Sequence, residues 1–268
     1  MMMNVLQDIL ATKRNELARL QRTRPMDSFS DRADAVRDFA GALCTDRIAV
    51  IAEIKRRSPS GGVLFSDLIP TEVARSYQEN GAAAISVLTD QHYFGGDLRF
   101  LQDIRSVVDL PVLRKDFVIS EYQVRESYAA GADAILLILE ALEFEDLREL
   151  YELANGLGLH VLVESYTHES LRFLTKLQPE IAGINARNLA TMDVDFQEMI
   201  AKRTSLPEDC IAVAESGILS PEQLTDAEQA GYNAALIGTA FMQHGTPGET
   251  LRSFLEAVER SGAKYDIG

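Results

Sequence analysis

Short runs of aliphatic and β-branched residues alternate along most of the chain with longer stretches whose apolar positions recur every three or four residues. The short runs fall at 48–55, 83–88, 111–115, 134–139, 159–164, 181–186, 210–215 and 234–238. Most begin apolar throughout, the pattern of strands buried on both faces of a parallel sheet. Helical spacing is predicted between and after them, over 71–80, 97–108, 120–130, 143–157, 167–177, 195–203, 220–230 and 248–261. Asp97 behind Gly95-Gly96, Ser120 ahead of Glu121, and Ser220-Pro221 read as helix starts. Three segments look alike: NGAAAISVL from Asn80, AGADAILLI from Ala130 and AGYNAALIG from Ala230. Each closes a helix on a glycine (Gly81, Gly131, Gly231) and enters a strand, and a left-handed residue suits that position.

The glycines lie 50 and 100 residues apart, which fits a unit of half that smaller spacing repeated eight times. Eight β/α units predict an α/β fold, a closed (β/α)8 TIM barrel, whose usual size is ~250 residues. A doubly wound open sheet is the alternative, but it usually has fewer strands, and no GxGxxG follows the first strand. Residues 1–47 read as two further helices, near 3–22 and 31–43. They are too few for a core of their own. The expectation is one domain: a barrel over 48–268 with a helical N-terminal extension covering its bottom or lying along its side.

Composition narrows the partners. The 268 residues carry a net charge of −15, which argues against nucleic acid. A small anion responds to the local field of a cleft, so the total charge does not exclude it. Cys44 and Cys210 are far apart and outside any CxxC spacing, which favours a reducing, cytoplasmic setting. The N-terminus lacks signal-peptide character, and no apolar run reaches the ~18–20 residues of a membrane span.

In a barrel of this kind, chemistry gathers at the C-terminal ends of the strands. Those positions hold Glu53 and Lys55, then Arg114, Lys115, Asp116 and Phe117, then Glu164, then Asn185, Arg187 and Asn188, then Glu215, Ser216 and Gly217, and finally Gly238 and Thr239. Burying unpaired charge costs several kcal/mol. Charges recurring at one end therefore mark either a salt-bridge ring or an acid–base site. AESGI and LIGTAF each put a hydroxyl residue beside a glycine at a strand-to-loop turn, an arrangement suited to a phosphate. His92, His160, His168 and His244 show no metal-ligand spacing, and no GxSxG elbow is present, so a cofactor-free mechanism is the default. The Gly95–Asp97 turn and the loop from Arg56 to Pro70 are candidate lids.

The runs AEIKRRSPSGG, VLRKDF, ILLI, LVE, GINARNL, VAESGI and LIGTAFM resemble those of the indole-3-glycerol phosphate synthases, over essentially the whole chain. The resemblance implies a carboxy-lyase of tryptophan biosynthesis. Such an enzyme closes the indole ring of 1-(2-carboxyphenylamino)-1-deoxyribulose 5-phosphate with loss of carbon dioxide and water. It further implies Lys115 as the general acid at the ribulose carbonyl and Glu164 as the acid/base of the dehydration. Lys55 would sit near the substrate carboxylate or act as a second acid, and Glu53 would hold the lysines in place. Asn185 and Arg187 would position the carboxylate and hydroxyls. Ser58, Glu215, Ser216, Gly217, Gly238 and Thr239 would lie at the substrate and its phosphate, while Pro59, Phe94, Phe117 and Leu136 would line the anthranilate pocket. No cofactor, nucleic acid or membrane partner is implied, and the usual form is a monomer. The chain departs from the family pattern where SPSGG lacks a lysine after its second serine and where Thr239 stands for a common serine. A related phosphate-binding isomerase would use a Cys/Asp pair, and neither cysteine ends a strand. A catalytically dead scaffold would have no use for this charge set.

Overall fold

The structure is a computed structural model that describes residues 4–30, 32, 34–58, 62, 63, 69–243 and 245–262. Eight parallel strands close into a barrel in chain order: β1 (Ala49–Ile54), β2 (Ala84–Leu88), β3 (Val112–Lys115), β4 (Ala134–Ile138), β5 (His160–Ser165), β6 (Ile181–Asn185), β7 (Ile211–Glu215) and β8 (Ala234–Ile237). Closure is made by β1, which pairs with β8 at Ala49↔Ala234 and with β2 at Ile51↔Ala84. Side chains alternate, so each strand feeds two cores. Outward residues such as Val50, Ile85, Leu137, Val163 and Ile184 pack against the helices. Inward residues such as Ile51, Leu113, Leu136, Leu162 and Val213 fill the barrel. Burying each large aliphatic side chain contributes about 1.5–3 kcal/mol, which fixes the register and therefore the inward parity of every later position on the strand.

Twelve helices surround or cap the barrel among the described residues: α1 (Val5–Thr23), α2 (Phe39–Leu43), α3 (Pro70–Glu79), α4 (Gln91–Phe94), α5 (Arg99–Arg105), α6 (Glu121–Ala129), α7 (Phe144–Gly156), α8 (His168–Leu177), α9 (Phe196–Lys202), α10 (Pro221–Gln229), α11 (Thr239–Met242) and α12 (Pro247–Gly262). The expected helix ends hold where chemistry is local. Ser220 caps α10 by accepting from the Gln223 N–H, with Pro221 as first helical residue. Gly81, Gly131 and Gly231 adopt φ of 94°, 86° and 91°. Ser120 precedes α6, but its hydroxyl makes no cap and donates to Gln123 instead. α5 starts two residues later than expected, because Asp97 accepts from the Arg99 N–H outside the helix.

The N-terminal extension departs from expectation. The helix foreseen over 31–43 reduces to α2, while the described residues of 32–38 are non-helical. Arginine and alanine favour a helix there, but the chain finds better partners on the barrel. Asp133, buried at the start of β4, accepts from Arg32 Nη2 at 2.7 Å, Arg105 Nη1 at 2.6 Å and the Arg37 N–H at 2.8 Å. Arg37 Nη1 donates to the Leu110 carbonyl at 2.8 Å. Asp38 then caps α2 through the Gly41 N–H. Phe39 and Leu43 of α2 plug the barrel bottom, where Ala49, Ala84, Ala134 and Ala234 leave room. In contrast, α1 lies across the C-terminal mouth, not the bottom or side. Its Val5 N–H reaches the Ala190 carbonyl beyond β6, and Thr12 meets the Tyr93 hydroxyl at 3.0 Å.

Candidate active site

Near the C-terminal ends, inward positions switch from apolar to charged within one pleat: Ile51 to Glu53, Leu113 to Lys115, Leu162 to Glu164 and Val213 to Glu215. With Asn185 of β6 and Lys55 just past β1, these side chains line a cavity of about 280 Å³ at the mouth. Lys115 Nζ sits 3.0 Å from Glu164 Oε2 and 2.8 Å from Glu215 Oε2. Asn185 Nδ2 donates to Glu164 Oε1 at 2.9 Å, and Asn185 Oδ1 accepts from the Arg187 N–H at 2.9 Å. Across the mouth, Lys55 Nζ lies 2.8 Å from Glu53 Oε1.

The electrostatics follow from burial opposed by pairing. Burial alone would lower the Lys115 pKa, but the charges of Glu164, Glu215 and Glu53 outweigh it and hold the ammonium above its ordinary range. Burial likewise pushes both carboxylic acids up. For Glu164 the Lys115 charge and the Asn185 hydrogen bond outweigh burial, so it stays ionised. For Glu215 burial and the neighbouring Glu164 charge prevail, and its pKa rises. Glu215 Oε1 has no hydrogen-bond partner among the described residues, so nothing at that oxygen offsets its burial. The two carboxyls, which share one ammonium, are pushed in opposite directions, Glu164 down and Glu215 up.

Two glycines make room for these acids. A Cβ on Gly183 would fall 2.2 Å from Glu215 Oε1, and one on Gly238 would fall 2.5 Å from Glu53 Oε1. At the far wall, Ser216 and Gly217 follow β7 with φ of 65° and 74°. These are two successive left-handed residues, a turn that exposes backbone N–H groups and strains the serine. Gly238 leads into α11, which begins at Thr239. Opposite this corner, Phe94 and Phe117 face each other with ring centroids 6.2 Å apart, beside Leu136.

A family model described as indole-3-glycerol phosphate synthase matches residues 6–254. Relatives bearing that name, from Burkholderia lata and Chromobacterium violaceum, are each 43% identical. The match covers 93% of this chain in both cases, and 98% and 97% of theirs respectively. The chain belongs to the indole-3-glycerol phosphate synthase family. Solved structures of more distant proteins share the fold alone. The 3-hexulose-6-phosphate synthase of Salmonella typhimurium has a TM-score of 0.64 at 12% identity, covering 80% of this chain and 99% of that one. The thiamine phosphate pyrophosphorylase of Pyrococcus furiosus has 0.60 at 16%, covering 83% and 98%.

Of the residues singled out by sequence, this synthase-family chain brings Glu53, Lys55, Phe94, Lys115, Phe117, Leu136, Glu164, Asn185, Arg187, Glu215, Ser216, Gly217, Gly238 and Thr239 to one cavity. Ser58 contributes backbone to a small hairpin with Gly62. Pro59 and His244 lie outside the described residues, as does most of the candidate lid between Arg56 and Pro70. Arg114 points away from the cavity into a buried network with Glu126, Ser127 and Asp116. Sequence reasoning missed Leu88, Leu189, Met192 and Ile218 in the lining, and it missed Gly183 beneath Glu215. Gly183 did carry a signal: a glycine two positions before Asn185, on the inward face of a strand otherwise apolar.

Proposed function

We propose that this chain closes the indole ring of 1-(2-carboxyphenylamino)-1-deoxyribulose 5-phosphate, with decarboxylation and dehydration, to give indole-3-glycerol phosphate. The observation that carries this reading is the Lys115 ammonium, held between Glu164 and Glu215 and facing a cavity with an aromatic wall at one side and a phosphate-type turn at the other. The phosphate binds at Ser216, Gly217, Gly238 and Thr239, and the aminobenzoate ring lies against Phe94, Phe117 and Leu136. This arrangement sets the ribulose carbonyl toward the strand ends that bear the two lysines.

The ring carbon that bears the carboxylate attacks the carbonyl carbon. The new carbon–carbon bond forms as the carbonyl π electrons move to oxygen, and Lys115 protonates that oxygen. The ammonium, kept charged by its carboxylate neighbours, faces the oxygen on which negative charge develops and donates as that oxygen becomes basic. Charge stabilisation by the ammonium precedes full transfer. The carbon–carboxylate bond then breaks, and its electron pair restores ring aromaticity as carbon dioxide leaves. Lys55, paired with Glu53, faces the departing carboxylate. In the last step Lys55, as second acid, gives a proton to the hydroxyl, which leaves as water, and Glu164 takes the proton whose loss completes the indole double bond. Asn185 holds Glu164 through its amide, and Arg187 is braced by donating to the Met192 carbonyl at 3.0 Å.

The test is direct. Purified protein mixed with the carboxyphenylamino-deoxyribulose phosphate should develop indole fluorescence; no product at micromolar enzyme would overturn the reading. Two coarser points complete the picture. Cys44 and Cys210 carry free thiols, and no described helix is long and apolar enough to cross a membrane, which supports a cytoplasmic enzyme. The family resemblance supports a monomer, which light scattering of the purified protein tests.

A further inference from the structure

Lys13 lies on the inner face of α1 between Leu10 and Leu17, and only 5% of it is exposed. Lysine is almost never buried unless paired. Its Nζ is 2.8 Å from Asp90 Oδ2, 3.0 Å from Asp116 Oδ1 and 2.8 Å from Glu16 Oε2. Asp90 and Asp116 are themselves buried, and each holds a loop at the cavity mouth. Asp90 follows β2, and its Oδ1 accepts from the Tyr93 and Phe94 N–H groups at 2.7 and 3.3 Å, which fixes α4. Asp116 follows Lys115 directly. Its Oδ1 accepts from the Phe117 N–H at 2.8 Å and its Oδ2 from Thr89 Oγ1 at 2.6 Å. One ammonium therefore joins the two backbones that carry Phe94 and Phe117. Without it, two buried carboxylates would face each other in a medium that screens poorly. Arg114 Nη2, at 3.2 Å, balances Asp116. Burial would raise the Asp116 pKa, yet Lys13 and Arg114 bring it down to about 2.

We infer that Lys13 is a positioning residue for the reaction: from the appended helix, it sets the separation of Phe94 and Phe117 that admits the aminobenzoate ring. The inference rests on reading that wall as the aromatic subsite. Lys13 touches no reacting atom, and the phosphate corner after β7 and β8 lies beyond its reach. Its removal should therefore weaken capture of the aromatic end and leave the proton transfers at Lys115 and Glu164 nearly intact.

The experiment compares Lys13→Met with wild type in steady-state turnover, in competition by anthranilate and by inorganic phosphate, and in thermal melting. Below the melting transition, Lys13→Met should raise KM about tenfold, equivalent to about 1.4 kcal/mol. Its kcat should stay within about threefold. The inhibition constant for anthranilate should rise in parallel, while that for phosphate stays unchanged. In Lys13→Met/Asp90→Asn, the asparagine Oδ1 keeps the cap on α4 and the stranded charge is gone, so most of the lost KM should return. Phe94→Ala and Phe117→Ala, run alongside, separate the two ideas. If they leave KM unchanged, the aromatic subsite is misread. If they raise it and Lys13→Met does not, the inference on Lys13 fails. Equal weakening of anthranilate and phosphate would also overturn it, since that marks general loosening. Should Lys13→Met not fold, Lys13→Arg keeps the charge but not a single donor point. It should raise KM a few-fold with phosphate inhibition unchanged; an unaltered KM would count against the role.

Discussion

Gly183→Ala is a perturbation aimed directly at the cavity. The new methyl would lie 2.2 Å from Glu215 Oε1, where ordinary contact begins at 3.4 Å, so the carboxyl must retreat by about 1.2 Å. The strand cannot yield, because β6 is paired on both sides, at Glu164↔Gly183 and Gly183↔Val213. A displacement of that size disturbs the 2.8 Å contact of Glu215 Oε2 with Lys115 Nζ. A charge-assisted bond of this kind contributes about 1.5–3 kcal/mol, and overpacking a barrel interior costs about 1–3 kcal/mol. Misplacing a catalytic group by about 1 Å lowers turnover by about 10²-fold. The expected variant is folded, melts several degrees lower and turns over about a hundredfold more slowly, with KM little changed. Indole fluorescence in single-turnover mode reads the chemical step, and calorimetry reads the stability. The decisive arm is Gly183→Ala/Glu215→Asp, in which the acid is one methylene shorter and the clash is gone. Recovery of stability while turnover stays low, since the shorter acid no longer reaches Lys115, supports the argument. Near-normal turnover in Gly183→Ala alone would refute it.

Three further outcomes follow from the same contacts. Lys115→Met should lower kcat by about 10²–10⁴-fold while inorganic phosphate still inhibits at an unchanged concentration, because the phosphate corner lies on other strands; turnover near wild type would reassign the acid. The Glu215 pKa is raised in the folded chain from 4.5 to about 8, so the stability it contributes is complete below 4.5 and lost as pH rises through about 8. Wild-type Tm should accordingly fall more steeply across that window than the Tm of Glu215→Gln, and parallel curves would count against the raised pKa. Asp133→Ala strips partners from Arg32, Arg105 and two backbone N–H groups at the barrel bottom, and should cost about 3–5 kcal/mol by denaturant titration. Turnover at low temperature should survive that change, since the site is at the other end.

Strand positions and the residues that share a face were legible in the sequence because both are local. The runs are apolar on both faces, so the barrel decides which residues turn inward, but once Ile51 or Leu113 faces inward, Glu53 or Lys115 must follow. The same locality made α10 and the glycine helix ends readable, and the motifs carried the family. What tertiary structure alone decided is which of those inward groups are partners. Glu215, expected as a substrate contact, is in addition a second carboxyl on Lys115, a hundred residues away in sequence. The helix over 31–43 was lost to Asp133, whose appeal to Arg32 and Arg37 no window of propensity contains. Lys13 reads along α1 as one more charge on an amphipathic helix. It becomes a bolt only when closure of the barrel brings Asp90 and Asp116, from two different loops, to the same ammonium. Helix and strand are set by neighbours in sequence, whereas a buried charge takes whatever partner the fold brings within about 3 Å, and that partner can come from anywhere in the chain.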